Sequence, residues 1–144
     1  MLVTYKNTVG AIAEIIGGTI IHGSPDDPIE SLTTDSRLIG NHSLFIPLVG
    51  EKFDGHQFIE AVVHEKKIAA YVTMKAPVAN KESVPVIQCK DTLQALGAIA
   101  SHHRKSLNPF IIGITGTNGK TTTKEILHTI FASAYTTHKT EKNY

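Results

Sequence analysis

The chain has 144 residues, 41% of them apolar and 19% charged, and a formal net charge of +1 with eight neutral histidines. That composition suits a soluble chain with a packed core, and its near-neutral balance gives no electrostatic case for a nucleic-acid or membrane-surface partner. The single Cys89 excludes an intrachain disulfide and any multi-cysteine metal cluster.

From the N-terminus, the first six residues lack the basic start, long apolar stretch and small-residue cleavage site of a secretory signal. No apolar run reaches the roughly 20 residues a membrane helix needs, so a cytoplasmic protein with no membrane insertion is expected. Val9, Ile12, Ile15 and Ile16 recur at helical spacing and Gly17-Gly18 ends that helix. Residues 19–22 read as a short strand, and 23–28 as a turn rich in Pro and Asp. A strand over 29–34 delivers Asp35-Ser36-Arg37 into a loop. Residues 43–48 form another strand, with Pro47 marking an edge or an end. A polar loop over 50–56 precedes a helix over 57–66.

Two apolar runs, 68–72 and 84–89, read as strands, the second burying Cys89. Asp91 is the N-cap of a helix reaching about Ser106, and Gln94 completes a capping box. Asn108-Pro109 breaks that helix. A buried strand over 110–114, a glycine loop and a helix over 120–133 follow, and the apolar stretch around Tyr135 starts a further strand. The expected architecture is α/β: a small N-terminal domain over 1–107, then over 108–144 the first strand–loop–helix unit of an incomplete α/β domain.

The loop carries the chemistry. Residues 113–123 read Gly-Ile-Thr-Gly-Thr-Asn-Gly-Lys-Thr-Thr-Thr. A strand that ends in a glycine turn, followed by a lysine and a hydroxyl at a helix start, wraps polyphosphate with backbone amides and the positive helix end. Lys120 would reach the β- and γ-phosphates of ATP, and the Thr121 hydroxyl would ligate Mg2+. The general P-loop pattern places its first glycine where this chain has Ile114, and Gly113 lies one residue early. The competing reading is a glycine turn before a helix that binds nothing.

Asp35, Ser36 and Arg37, with Gly50, Asp54, Gly55 and His56, form a second constellation. An acceptor, a hydroxyl and a forked cation at a strand end suit a nucleotide sugar or its phosphates. Gly50 and Gly55 would let backbone approach a ligand, and His56 could stack on a ring or hydrogen-bond to it. An Asp–Arg brace and an ordinary Asp-Gly turn explain the same residues without a ligand. His102-His103, adjacent on a helix, cannot form a facing metal pair and read as a solvated face, and Lys66-Lys67 and Arg104-Lys105 read as surface charge.

Gly116-Thr117-Asn118-Gly119-Lys120-Thr121-Thr122 resembles the nucleotide loop of the Mur ligases, in which the departure at position 114 is normal. Thr123-Lys124-Glu125 and the segment from Thr140 to Asn143 are similar to the branch that adds D-alanyl-D-alanine. Asp35-Ser36-Arg37, Leu44-Phe45-Ile46-Pro47-Leu48 and the Gly50 to Phe58 stretch follow in the order of those ligases' N-terminal domain. The resemblance covers about residues 30–60 and 110–143. It implies a substrate site at Asp35, Ser36, Arg37, Gly50, Asp54, Gly55 and His56 for the UDP end of UDP-MurNAc-tripeptide. It implies an ATP site at Gly116, Thr117, Asn118, Gly119, Lys120, Thr121 and Thr122, with Mg2+ on Thr121. The implied reaction joins D-alanyl-D-alanine to the precursor through an acyl-phosphate, with Lys120 as the catalytic charge. Its remaining parts belong to later domains, so these 144 residues alone are expected to be inactive. A ligase adding the third stem-peptide residue and a non-catalytic UDP-sugar-binding module remain the alternatives.

Overall fold

The computed structural model describes residues 2–65, 68–75 and 84–141, without the side chains of 2, 3 and 65. Lys66-Lys67 and residues 142–144 of the C-terminal motif lie outside the described residues. The chain divides into two compact units, Met1–Asn108 and Pro109–Tyr144.

In the first unit, strand β1 (Leu2–Thr8) runs into helix α1 (Val9–Ile16). The Thr8 hydroxyl accepts the Ala11 N–H, and Gly17 in the left-handed region closes the other end. β2 (Thr19–His22), β3 (Pro28–Thr33) and β4 (Ser43–Phe45) follow. A two-stranded ribbon of β5 (Val49–Gly50) and β6 (Phe53–Asp54) occupies what the sequence presented as a polar loop. A 3-10 turn (Gly55–Phe58) leads into α2 (Ile59–Glu65), then β7 (Ala70–Thr73), β8 (Val86–Gln88) and α3 (Thr92–Leu107).

Six strands form one sheet in the order β1-β3-β4-β7-β8-β2. The four inner strands are parallel, and β1 and β2 close the edges antiparallel. Because both faces are covered, β4, β7 and β8 are buried along almost their whole length without alternation, while β3, next to the edge strand β1, keeps Glu30 exposed. Leu44, Ala70, Val72 and Ile87 point to the face shared with Val9 and Ile12 of α1 and Ile99 of α3. Phe45, Tyr71 and Val86 point to the other face, under Ile59, Val62 and Val63 of α2. Each fully buried aliphatic side chain here contributes about 1.5–3 kcal/mol.

Several boundaries depart from the sequence reading. β4 stops at Phe45, before Pro47, whose ring cannot donate to a ladder. Cys89 lies just past β8 and is half-buried, with burial raising its thiol pKa. Asp91 caps α3 by accepting the Leu93 and Gln94 amides, while the Gln94 side chain donates to the Asp91 carboxylate rather than reaching back to the backbone. His103 packs edge-on against Tyr5 with ring centroids 5.3 Å apart, so only His102 belongs to a solvated face. Asn108 in the left-handed region ends α3. No helix among the described residues is long and apolar enough to cross a membrane.

The second unit contains α4 (Lys120–Ala132). The expected strand over 110–114 forms no ladder, and neither does the stretch at Tyr135. Phe110 is 89% exposed, and Ile111 and Ile112 are exposed as well; a strand needs a hydrogen-bonded neighbour, and the described residues of this unit supply none.

Candidate functional site

The substrate-type motifs meet at the carboxyl edge of the parallel strands, the edge at which open α/β sheets bind ligands. β3 ends at Thr33, whose buried hydroxyl accepts the Asp35 N–H at 3.1 Å. Asp35 caps the 3-10 turn Ser36–Leu38 by accepting the Arg37 N–H at 3.0 Å. The Arg37 guanidinium returns to the same carboxylate through Nε at 2.9 Å and Nη2 at 2.7 Å. Arg37 itself is 85% exposed in its side chain, so the pair presents a forked cation at the sheet edge, held by a short local loop. The Arg37 side chain, then its backbone N–H, hold the Asp35 carboxyl well below the usual carboxylate range.

Thr33 pairs with Phe45 and Phe45 with Tyr71, which brings the ends of β3, β4 and β7 side by side. At the end of β7, Thr73 repeats the Thr33 device by accepting the Lys75 N–H at 3.0 Å. Gly55 lies directly on the chain leaving β4, its N–H donating to the Leu48 carbonyl at 2.8 Å. A Cβ there would stand 3.0 Å from Leu48 N and O and 3.1 Å from Pro47 Cα, all backbone atoms. The close approach that requires this glycine therefore comes from the protein's own chain rather than a ligand. Gly50 carries no such constraint, because its Cβ would meet only the Phe53 carbonyl at 3.9 Å.

The expectation that His56 offers its ring to a ligand meets a residue only 7% exposed. Its Nε2 accepts the Met74 N–H at 3.3 Å, so the ring proton sits on Nδ1 and is donated to Asp54 Oδ1 at 2.7 Å. Asp54 also accepts the His56 N–H at 3.0 Å and the Lys75 ammonium at 2.5 Å. The Lys75 hydrogen bond, followed by the two from His56, holds the Asp54 carboxyl well below its usual range. His56 and Asp54 thus tie the β5–β6 ribbon to the end of β7. Lys75, Thr33 and Thr73 were not singled out from the sequence. A threonine closing a strand two residues before a loop amide is the signal that could have found the last two.

Two expected results follow from this edge. Gly55→Ala should cost about 1–3 kcal/mol in urea unfolding, since the new methyl must displace backbone; an unchanged midpoint would mean that the ribbon moves without penalty. The second concerns acid. Asp35 and Asp54 titrate in the folded state below their ordinary 3.8, so the unfolded chain binds more protons as the pH falls. Their contribution is present above about pH 4 and is lost below it. Asp54→Asn should flatten the fall in urea midpoint below about pH 4 and leave the slope above pH 5 unchanged. A slope at acid pH identical to the parent's would refute the pairing.

In the second unit, Gly116 (φ 149°) and Gly119 (φ 77°) bend the loop through backbone regions that side chains disfavour. Gly113 has an ordinary φ and nothing within 4 Å of a Cβ, so the early glycine has no part in the bend. Thr117 and Asn118 form the exposed bend between the two glycines. Gly119 caps α4 without a side chain, and the first intrahelical bond runs from Thr123 N to Gly119 O. The amides of Lys120, Thr121 and Thr122 precede that bond, at the positive end of the helix dipole. The Lys120 ammonium folds over the loop and donates to the Gly116 carbonyl. Loop amides, a helix start without a side-chain cap and a lysine over the bend fit a polyphosphate. No group of three His, Cys, Asp or Glu among the described residues could hold a metal ion. A Mg2+ ion at this loop would rest on the Thr121 hydroxyl, phosphate oxygens and water.

Comparison with known proteins matches both parts of the chain. The family model for the Mur ligase family, catalytic domain, matches residues 28–104, more than half of the chain, and that for the Mur ligase middle domain matches residues 114–144. The UDP-N-acetylmuramoyl-tripeptide–D-alanyl-D-alanine ligase of Bacillus subtilis (strain 168) is 40% identical over 140 residues, covering 96% of this chain and 30% of its own length. A UDP-N-acetylmuramoyl-L-alanyl-D-glutamate–2,6-diaminopimelate ligase of Cytophaga hutchinsonii is 34% identical over 113 residues, covering 77% of this chain and 23% of its own. The solved D-alanyl-D-alanyl ligase of Acinetobacter baumannii superposes with a TM-score of 0.79 at 28% identity, over 91% of this chain and 29% of that one. The chain therefore spans less than a third of these relatives. Two windows of one chain, one on the sheet-edge unit and one on the glycine loop, match successive parts of one family, and the chain belongs to the Mur ligases.

Proposed function

We propose that the chain is the N-terminal portion of an ATP-dependent ligase that joins D-alanyl-D-alanine to UDP-MurNAc-tripeptide through an acyl-phosphate. The observation that carries this reading is the pairing of a built strand-end site in 1–107 with a polyphosphate-type loop in 108–144. The Bacillus subtilis D-alanyl-D-alanine ligase matches 96% of this chain at 40% identity, whereas two diaminopimelate ligases match 74–77% of it at 34–39%, which favours that branch. Residues 1–107 hold the UDP end of the precursor and 108–144 begin the ATP domain. At the sheet edge, Arg37 meets the diphosphate and Ser36 supplies a hydroxyl, while Asp35, Asp54, Gly55 and His56 hold the two loops in place. In the loop, Gly116, Thr117, Asn118, Gly119 and Thr122 line the ATP phosphates. Lys120 supplies charge to the transferring phosphoryl group and Thr121 binds Mg2+.

Calorimetric titration with UDP-MurNAc-tripeptide, with UDP-glucose as control, tests the substrate assignment. Selective binding that weakens about tenfold or more in Arg37→Ala is expected, the loss of one charge-assisted phosphate contact. Absence of binding by a folded sample, or equal binding of the two ligands, overturns the assignment.

A further inference from the structure

Four and five residues beyond Lys120, α4 carries Lys124 and Glu125, and the bend of the loop requires neither. Both are committed to the chain that follows the helix. The Lys124 side chain is only 14% exposed and its ammonium donates to the Thr140 carbonyl at 2.6 Å. It also stands 3.9 Å from Glu125 Oε1. The other Glu125 oxygen accepts from the Lys139 ammonium. That hydrogen bond, then the charges of Lys139 and Lys124, lower the Glu125 pKa.

These contacts fix the path of the chain. After Ala132 it turns, with the Tyr135 N–H donating to the Phe131 carbonyl, and by residues 139–140 it has come back along the helix to Lys124 and Glu125. At about 1.5 Å per residue, Lys124 lies about 6 Å along the axis from Lys120, little more than one turn from the loop. Glu125 is the only acidic residue of α4, and an unbalanced carboxylate so near a polyphosphate would repel it. Lys139 and Lys124 flank it instead, so its charge is spent on holding the returning segment.

We propose that Lys124 and Glu125 are positioning residues of the nucleotide site, a two-point clasp that sets residues 139–140 beside the first turns of α4 as a side wall to the phosphate loop. The clasp acts through a backbone carbonyl at Thr140 and an ion pair at Lys139, so it specifies the segment's distance from the helix as well as its register along it. This inference rests on the nucleotide reading of the loop.

The test is calorimetric titration of the 144-residue chain with ADP and Mg2+. Lys124→Met keeps the aliphatic stem and removes the donors, and it should weaken ADP binding about tenfold with helical content unchanged. Lys124→Arg, which restores a donor, should recover binding to within about threefold of the parent. Glu125→Gln and Lys139→Met should each weaken binding, and their combination should cost no more than either alone, because they break one contact. Unchanged binding by Lys124→Met overturns the clasp while the nucleotide reading stands. Loss of helix and binding together in Lys124→Met, without rescue by arginine, also overturns it by reducing Lys124 to a fold residue. If the parent chain itself binds no ADP, the nucleotide reading fails and the clasp falls with it.

Discussion

Lys120→Met is expected to weaken the binding of ADP with Mg2+ by about 100-fold, with the helical content of the chain unchanged. Hydrogen bonds to charged groups contribute about 1.5–3 kcal/mol each, and an ammonium between phosphate oxygens makes more than one. The Lys120 ammonium already lies over the loop on the Gly116 carbonyl, and binding exchanges that neutral acceptor for anionic ones. Methionine matches the length of the stem and removes only the ammonium, with its charge and its donors. Arginine at this position should not rescue, because a planar fork is larger than an ammonium and the bend from Gly116 to Gly119 is short. That outcome separates Lys120 from Lys124, where arginine should suffice. Binding within a factor of about two of the parent by Lys120→Met would take Lys120 out of the phosphate contacts.

His56→Ala should cost about 3–5 kcal/mol of unfolding free energy, measured by urea denaturation at neutral pH. Two terms add. The ring is buried, so its removal leaves a cavity beside the end of β7, and the Met74 N–H loses its acceptor. Against a total domain stability of about 5–15 kcal/mol, that loss is severe. His56→Gln separates the terms: its amide oxygen can accept the Met74 N–H at the position of Nε2, and it should recover about 1–2 kcal/mol. A loss below about 1 kcal/mol in His56→Ala would show that the ring is not a brace, and would return it to the candidates for ligand contact.

These two residues illustrate how differently the two sites could be read. The loop was legible because its requirements are local. Positive-φ glycines, a lysine and a hydroxyl opening a helix are contiguous in the chain, and the structure shows the bend at Gly116 and Gly119 with α4 starting at Lys120. The sheet-edge site was legible only as a set of residue types. Nothing in the order Asp54, Gly55, His56 indicates that the histidine faces inward, because its partner Met74 lies 18 residues away on another strand end. Gly55 looked like a residue that admits a ligand for the same reason, and the atoms it accommodates belong to Pro47 and Leu48.

The elements divide along the same line. Helix α1 was evident from the spacing of its apolar residues and its stop at Gly17, and α3 from the Asp91 cap and the break at Asn108-Pro109, since a helix satisfies its hydrogen bonds within itself. β1 escaped notice and the 110–114 strand did not form a ladder, because a strand is defined by a neighbour the local sequence does not contain. By itself the sequence determined the α/β class, helices α1 and α3, and the glycine bend before α4, the helices and the bend being set by contacts within a few residues. Only the tertiary structure decided the strand order, the turning of His56 inward and the return of residues 139–140 to Lys124 and Glu125. Those depend on contacts between segments far apart in the chain, which residue spacing does not encode.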